Sequence, residues 1–352
     1  MKFHIKFNSF QICIRWIVPI VALICIACCC YFPAWAEAYA QTVYPLLSAA
    51  LSAFSSLFPF SLEEVLVVSM LLWLFIFPIR KRKKGWAWKR IAVRELEVLV
   101  WIYIWFYMGW GLNYFRYNIY TRLQVSPVSY DEQVFVDFLH SYTDSLNATY
   151  TSRVEMDTEL LESEVKSFYS RTSKEGGLST PKDWQRPKFF MFTPIYSSVG
   201  VLGSMGPFFA EAQLNADLLP IQIPFTYAHE FSHLLGVSNE AEANYWAYRA
   251  CTESHDEILK YSGYLGLLPY VVSNASRLLS KEQFQKWVKT IRPEVITDYK
   301  KEQSHWQEKY SDLVGSVQDY LYNLFLKGNN IPSGKKNYAE VIGILLALDA
   351  KP

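Results

Sequence analysis

The chain has 352 residues with 34 lysines and arginines against 33 aspartates and glutamates, so its formal net charge is +1. This balance gives no general electrostatic basis for nucleic-acid binding. The first third is strongly apolar and holds five of the six cysteines, so small thiols in contact with lipid are favoured there over a metal-binding or palmitoylated cluster. Cys251 stands alone in the remainder, which therefore cannot close an internal disulfide.

Three almost uncharged stretches predict transmembrane helices at about residues 14–32, 62–79 and 96–115. They define a membrane domain over residues 1–116. The first stretch has an alternative interpretation as a cleaved signal peptide, because Ala34-Trp35-Ala36 is similar to a cleavage site. We favour the interpretation that the first stretch is retained as a transmembrane helix, because two further predicted spans follow it.

Positive charge predicts the orientation of these spans. A basic block at residues 80–84 follows the second stretch, and Lys2 and Lys6 precede the first. Basic segments stay in the cytoplasm, so three spans place residues 117–352 outside it. Cleavage of the first segment does not change this result. Residues 44–60 are predicted to lie along the outer membrane face or to form a short hairpin.

Residues 117–352 form one predicted outer domain that is mainly α with a small β-sheet, an α+β, zincin-like fold. A capping box at Ser129 and Glu132 begins its first helix, and a second helix is predicted from about Asp157 to Tyr169. The glycines Gly200, Gly203 and Gly206 are interpreted as turns. Three short strands are predicted at residues 188–193, 198–202 and 208–215.

An HExxH motif lies in the second half of the domain, at His229, Glu230 and His233. Residues four apart share one face of a helix, so both imidazoles can bind the same metal ion. Glu230 lies one step round the helix, where it can reach a metal-bound water as the catalytic base. The pattern indicates a zinc hydrolase with one Zn²⁺ per chain. The alternative is a core helix with two incidental histidines.

A third ligand must follow the motif, and Glu240 is favoured over Glu242. Gly236 is expected to end the HExxH helix, and Asn239 is expected to cap the next one. A capping box with Asn239 occupies Glu242, which leaves Glu240 to turn back to the metal. Asn244 lies four residues further on the same face and is predicted to hydrogen-bond a ligand.

Further residues complete the predicted site. His255, Tyr261 and Tyr264 are candidate donors to the transition state, and His255 is disfavoured as the third ligand relative to Glu240 and Glu242. A strand just before the motif is predicted to be a sheet edge that pairs with an extended substrate, the alternative being an internal hairpin strand. Its residues are Phe209, Ala210, Glu211 and Ala212.

The arrangement resembles the gluzincin branch of zinc metallopeptidases, in which HExxH is followed by Glu and then by Asp four residues later. Here the matching residues are Glu240 and Asn244, so Asn replaces Asp, and the interval from His233 to Glu240 is unusually short. More of the chain resembles an uncharacterised bacterial family of membrane-anchored HExxH proteins, a domain of unknown function. The segments that carry this similarity are residues 110–116, 211–215, 229–244, 261–265 and 338–347.

The resemblance implies a multi-pass protein of the inner membrane of Gram-negative bacteria with a periplasmic active site. The expected function is zinc-dependent hydrolysis of peptide bonds in periplasmic or envelope proteins, with a peptide or protein substrate, the lipid bilayer as partner and no nucleic acid. Two alternatives stay open: a catalytically silent zincin-fold binding or scaffold protein, and a zinc hydrolase of a non-peptide envelope amide. The intact Glu230 argues against the silent protein, because a dead site has no need of a general base.

Overall fold

The computed structural model describes the backbone of residues 9–128, 132–153 and 155–349. The predicted cap Ser129 and the basic residues Lys2 and Lys6 lie outside these ranges. The described chain is mainly helical with one small sheet, as expected. Its helices are α1 Ser9–Tyr31, α2 Pro33–Thr42, α3 Tyr44–Ser55, α4 Leu62–Lys83, α5 Trp88–Gly109, α6 Ile119–Leu123, α7 Glu132–Thr149, α8 Thr158–Gly176, α9 Thr193–Ser198, α10 Ile223–Leu234, α11 Glu240–Thr252, α12 Glu257–Leu278, α13 Lys281–Val288, α14 Pro293–Lys309, α15 Asp312–Gly328 and α16 Val341–Asp349.

The sheet has three short strands in the order β1-β3-β2: β1 Lys188–Phe189, β2 Gly203–Gly206 and β3 Glu211–Leu214. Strand β3 is parallel to β1 and antiparallel to β2. The expected strand at residues 198–202 is wrong, because Pro194 favours the first turn of α9 and the chain then loops into β2. The expected glycine turns at Gly203 and Gly206 are also wrong: both residues lie in β2, where neighbouring acidic side chains approach the backbone closely.

The predicted substrate edge needs correction. Glu211 and Ala212 lie in β3, which is the central strand and is buried, and Phe209 and Ala210 form the turn before it. Ala210 has a φ of 51°, a left-handed conformation that suits a turn and not a strand. Alternation and position along the chain could not distinguish a central strand from an edge. The strand at the antiparallel edge of the described sheet is β2.

One helix among the described residues, α4, is long and apolar enough to cross a membrane by length and composition. A second crossing is counted only if Arg15–Tyr31 and Pro33–Thr42, which meet at 109°, act together as one broken span. The expected three spans are therefore corrected to one, or to two with the bent pair. Helix α4 matches the predicted span at residues 62–79 and extends into the basic block.

The predicted span at residues 96–115 fails for a physical reason. Helix α5 ends at Gly109, and residues Gly111–Phe115 form a separate 3₁₀ turn that is mostly buried in protein. The helical part from Leu96 onward is then roughly 21 Å long at 1.5 Å per residue, which is shorter than a hydrocarbon core of about 30 Å. Charged residues flank the start of this part, with Arg94 and Glu95 just before Leu96 and Glu97 just after it.

The amino-terminal end of α4 is joined directly to the sheet. The Glu211 carboxylate accepts hydrogen bonds from the backbone amides of Leu62 and Glu63, each at 3.1 Å. The Glu64 carboxylate accepts from the amides of Met191 at 2.7 Å and Phe192 at 3.1 Å. Carboxylates bonded to amides are strong anchors, so the amino-terminal end of α4 is held against the sheet and the segment that follows β1. The proposed domain boundary at residues 116/117 stays a prediction.

Helices α10, α11 and α12 form the centre of the main hydrophobic core. Its fully buried aromatic side chains include Tyr169, Phe231 and Trp246. The Tyr169 hydroxyl donates to the Ala228 carbonyl at 2.8 Å. This close packing keeps α10, which carries the HExxH motif, away from solvent along most of its length.

A buried acid on α14 makes stability depend on pH. Burial and the negative charge of Asp298 raise the pKa of Glu302 to about 8. Below pH 4.5, the usual pKa of glutamate, Glu302 is neutral in both the folded and the unfolded chain. As the pH rises from there to about 8, Glu302 ionises in the unfolded chain but stays protonated in the folded one, so the free energy of unfolding decreases. We expect Glu302→Gln, which mimics the neutral form, to leave the Tm unchanged near pH 5 and to raise it at pH 8 and above.

Thermal unfolding of the full chain in detergent, followed across this pH range, measures the effect, which we expect to reach a few kcal/mol. Glu308→Gln on the exposed surface of the same helix is the matched control and should show no such trend. A Glu302→Gln curve parallel to that of the wild type would contradict the assignment.

Candidate metal centre

Helix α10 places both histidines of the HExxH motif on one buried face. It begins with a proline in its first turn and ends at Leu234, after which Gly236 adopts a φ of 102°. Few residues other than glycine adopt this backbone conformation, which turns the chain sharply away from the helix. The Nε2 atoms of His229 and His233 lie 3.1 Å apart.

The turn after Gly236 brings Glu240 back to the two histidines. The Asn239 side chain caps α11 as predicted, by accepting from the amide of Glu242 at 3.0 Å. The expected capping box is incomplete, because the Glu242 carboxylate pairs with Arg122 and not with the Asn239 amide. The Oε2 atom of Glu240 lies 3.2 Å from each histidine Nε2. Tetrahedral ligands at about 2.05 Å from a zinc ion are separated by about 3.3 Å. The spacing of the three atoms therefore fits a single metal ion, and the three residues form a buried group that can hold one.

Hydrogen bonds fix which nitrogen of each histidine carries the proton. His233 Nδ1 lies 2.7 Å from the Val237 carbonyl, which only accepts. His229 Nδ1 lies 2.9 Å from Asn244 Oδ1. The Asn244 amide is oriented by its Nδ2, which donates to the Tyr338 carbonyl at 3.2 Å. Both Nδ1 atoms are therefore donors, and each neutral ring presents a lone pair at Nε2.

The three donor atoms lie close enough to share a proton or a metal ion. The lone pairs of His229 and His233 converge with a carboxylate oxygen of Glu240 in a buried space. Three electron-rich atoms this close repel one another unless a proton or a metal ion lies between them. Two imidazoles and a carboxylate, each already oriented by a second hydrogen bond, are a common ligand set for zinc.

Without a metal, the group retains a proton. Burial lowers the pKa of His233, but the charge and hydrogen bond of Glu240 outweigh it and raise that pKa to about 9. Burial likewise raises the pKa of Glu240, but His233 and His229 hold it well below its usual range. A divalent cation would displace the proton, so metal affinity should increase with pH.

Glu230 lies beside the ligand group and is in contact with β2. A Cβ atom at Gly203 would be 2.6 Å from Cγ and 2.8 Å from Oε1 of Glu230, closer than side-chain contacts permit. Only glycine therefore allows the strand to pass this close to Glu230. Burial raises the pKa of the Glu230 carboxyl, which suits a group that both accepts and returns a proton.

The other predicted residues divide into two groups. Asn244 contacts His229, as predicted. Glu242 is not free for a metal, because it accepts from Arg122 and, at 3.1 Å, from Trp246 Nε1. The candidate donors lie elsewhere: His255 is exposed beyond α11, Tyr261 donates to Asp298, and Tyr264 packs against Tyr142 and Tyr248.

The carboxyl-terminal part of the chain contributes contacts that sequence patterns did not reveal. The Tyr322 hydroxyl donates to Glu240 Oε1 at 2.7 Å and leaves Oε2 for the metal position. The Tyr338 ring lies parallel to the His229 ring, with centroids 6.3 Å apart. Asn337 Oδ1 accepts from the amides of Glu240 at 3.0 Å and Ala241 at 3.2 Å and so anchors the start of α11. The chain has many tyrosines, and no local sequence pattern distinguishes Tyr322 and Tyr338 from the others.

Residues 110–116 support the turn between the histidines and Glu240. Trp110 Nε1 donates to the His233 carbonyl at 3.1 Å, and the Ser238 hydroxyl donates to the Asn113 carbonyl at 2.8 Å. Arg116 pairs with Glu37 at 2.6 Å in a buried position. This segment therefore holds the backbone on which the ligand group depends.

We expect Tyr322→Phe to weaken metal binding about 10–100-fold, because the variant loses the hydrogen bond that orients Glu240. Competition with a chromogenic chelator measures the affinity of the full chain. Tyr320→Phe is the matched control, since Tyr320 is on the same helix with 65% of its surface exposed. Equal affinity in the two variants would show that the contact has no role in metal binding.

Comparison with known proteins places the chain in a family. No curated protein and no solved structure matches it significantly. A family model described as "Protein of unknown function (DUF3810)" matches residues 39–346, which include α4, the sheet and every residue of the ligand group. The chain therefore belongs to the family of proteins of unknown function DUF3810.

Proposed function

We propose that the chain is a membrane-anchored zinc-dependent peptidase that hydrolyses peptide bonds of periplasmic or envelope proteins. The observation that carries this proposal is the convergence of His229, His233 and Glu240, with Glu230 beside them. A silent scaffold would have no use for a buried general base next to a complete ligand set.

His229, His233 and Glu240 would hold the zinc ion, and Asn244 and Val237 would orient the two imidazoles. When bound, zinc lowers the pKa of a coordinated water and polarises a carbonyl. Two neutral imidazoles and one carboxylate leave a net charge of +1 at the site, which favours an oxyanion. Glu230 accepts a proton from the attacking water and returns it to the leaving amine.

An extended peptide is the substrate that the surroundings of Glu230 favour. Strand β2 lies at the antiparallel edge of the described sheet and passes Glu230 at Gly203. A peptide that adds to this edge would be held mainly through its backbone, with its scissile bond near the metal position. The proposal therefore moves the substrate-binding edge from residues 209–212, where the sequence predicted it, to β2.

We further propose that the site faces the periplasm of a bacterial inner membrane. Helix α4 ends in basic residues, Arg80, Lys81, Arg82 and Lys83, and its opposite end is bonded to the sheet. If basic segments stay in the cytoplasm, the sheet and the metal group lie on the other side. This argument uses α4 alone and does not depend on how α1 and α5 meet the lipid.

A reporter fused after Pro352 tests the orientation in a Gram-negative host. Alkaline phosphatase, which folds outside the cytoplasm, should be active, and green fluorescent protein exported at the same position should be dark. The reverse pattern would contradict the proposed orientation.

The activity is tested with the purified full chain. We expect about one zinc per chain by elemental analysis and cleavage of a mixed peptide library. A chelator should abolish cleavage, and added zinc should restore it. A purified chain that contains no zinc would contradict the proposal. Stoichiometric zinc with cleavage of envelope amides but not of peptides would assign the non-peptide alternative, and zinc without any hydrolysis would favour the silent fold.

A further inference from the structure

Helix α15 presents an unusual apolar face to its surroundings. The side chains that share this face are between 48% and 79% exposed and are Leu313, Val317, Tyr320, Leu321 and Leu324. Their spacing of three and four residues forms one continuous stripe along the helix. Such a stripe on a soluble surface marks an interaction site.

The opposite face of α15 is bound to the rest of the protein. Gly315 and Leu326 are buried, Asp319 pairs with Lys335, and Tyr322 donates to Glu240. The helix is thus held in one rotation about its axis, and the apolar stripe necessarily faces away from the metal group.

The carboxyl-terminal end of α15 rests on α5. The Phe325 ring contacts the rings of Phe106 and Tyr114, at centroid distances of 6.0 and 5.9 Å. The Tyr107 hydroxyl donates to Asn329 Oδ1 at 2.8 Å. Phe106 and Tyr107 lie in the last turn of α5. This turn is next to the point where α4 joins the sheet: Trp105 Nε1 donates to the Phe208 carbonyl, and Glu63 of α4 accepts from the Phe208 amide.

The amino-terminal end of α15 lies near the same region. The amide of Ser311 donates to the Ser198 carbonyl at the end of α9 at 2.8 Å. Helix α9 follows Met191 and Phe192, whose amides bond Glu64 in the first turn of α4. Both ends of α15 are therefore connected through short paths to the end of the membrane helix.

We propose that the apolar stripe of α15 lies on the lipid surface of the membrane that α4 crosses. The segments that connect α4 to α15 also expose apolar side chains, which are Val65 and Val68 on α4 and Phe192 and Ile195 around the start of α9. The stripe itself carries no charge, and Tyr320 is of a type that favours the membrane–water boundary. An amphipathic helix with this distribution binds in the plane of the interface.

This arrangement would place the metal site close to the bilayer, because the lipid-bound helix also carries Tyr322. Substrate segments that emerge from the membrane would then reach β2 with little unfolding. The inference rests on the membrane location proposed for α4 but not on the peptidase activity.

Photo-crosslinking to lipid tests the contact. The full chain is reconstituted in vesicles of equal parts phosphatidylethanolamine and phosphatidylglycerol that contain a diazirine-labelled lipid, and crosslinked peptides are identified by mass spectrometry. We expect labelled peptides from α4 and α15, and severalfold less label on the exposed, polar helix α14. A Val317→Glu, Leu321→Glu double variant should lose most of the α15 label, whereas Ser316→Glu, which adds charge beside the stripe, should keep it.

Zinc content and thermal unfolding show whether each variant is folded. Label on α4 without label on α15, as expected if the α15 helices of two copies pair with each other instead, overturns the inference alone. Absence of label on both helices overturns the membrane location as well. Loss of the α15 label in Ser316→Glu, in a folded protein, would also contradict a contact specific to the stripe.

Discussion

Replacement of Glu230 by Gln is expected to lower peptide hydrolysis about 10²–10⁴-fold while zinc stays bound. The amide cannot accept a proton from the attacking water, but it has the same shape as the carboxyl. It therefore fits in the same space beside Gly203, which the Glu230 side chain approaches closely. Zinc content and initial rates on the same preparation separate the loss of chemistry from the loss of metal.

Gly203→Ala provides the companion variant for this residue. The new methyl group would displace the Glu230 side chain without touching its charge, so we expect lower activity with near-normal zinc content. Wild-type rates in Glu230→Gln would remove Glu230 from the mechanism. Loss of zinc in that variant would indicate a role as ligand and contradict its assignment as base.

Glu240→Ala is expected to abolish stoichiometric zinc binding, whereas Glu242→Ala should retain the metal and unfold at lower temperature. Glu240 completes the ligand group, so its removal leaves two histidines and no anionic ligand. Glu242 instead pairs with the buried Arg122. Loss of one partner from such a pair commonly costs about 3–5 kcal/mol, because the other charge stays buried.

Each variant is the control for the other, because Glu240 and Glu242 lie on either side of Ala241 in the same helix and both side chains are buried. Elemental analysis after dialysis gives the zinc content, and scanning calorimetry gives the Tm. Retained zinc in Glu240→Ala together with loss in Glu242→Ala would reverse the assignment of the third ligand.

The local features of the site follow from the sequence. Spacing by four residues placed His229 and His233 on one helix face, and Gly236 could be recognised as the helix end. The capping role of Asn239 then indicated the direction of Glu240. All of these depend on backbone geometry within a few residues, which side-chain type largely dictates.

The sheet was less predictable, because strand pairing is not a local property. The residues of β3 alternate little and could belong to an edge or to a centre. Glycines in β2 normally indicate turns, and their reason for being in a strand is the approach of Glu230 and Glu63 from distant parts of the chain. The third predicted span failed because α5 ends at Gly109 and the next residues form a separate buried turn, in which the Asn113 carbonyl accepts from Ser238.

By itself, the sequence determined the helical character of the chain, the apolar length of α4 with its basic end, and the candidate ligands His229 and His233, with Glu240 favoured over Glu242 as the third. Only the tertiary structure decided that Glu242 is occupied by Arg122 and that Tyr322, Asn337 and Tyr338 surround the ligand group. The physical reason is range: helix periodicity and caps act over a few residues, whereas these contacts join segments about a hundred positions apart, through packing that no local pattern encodes.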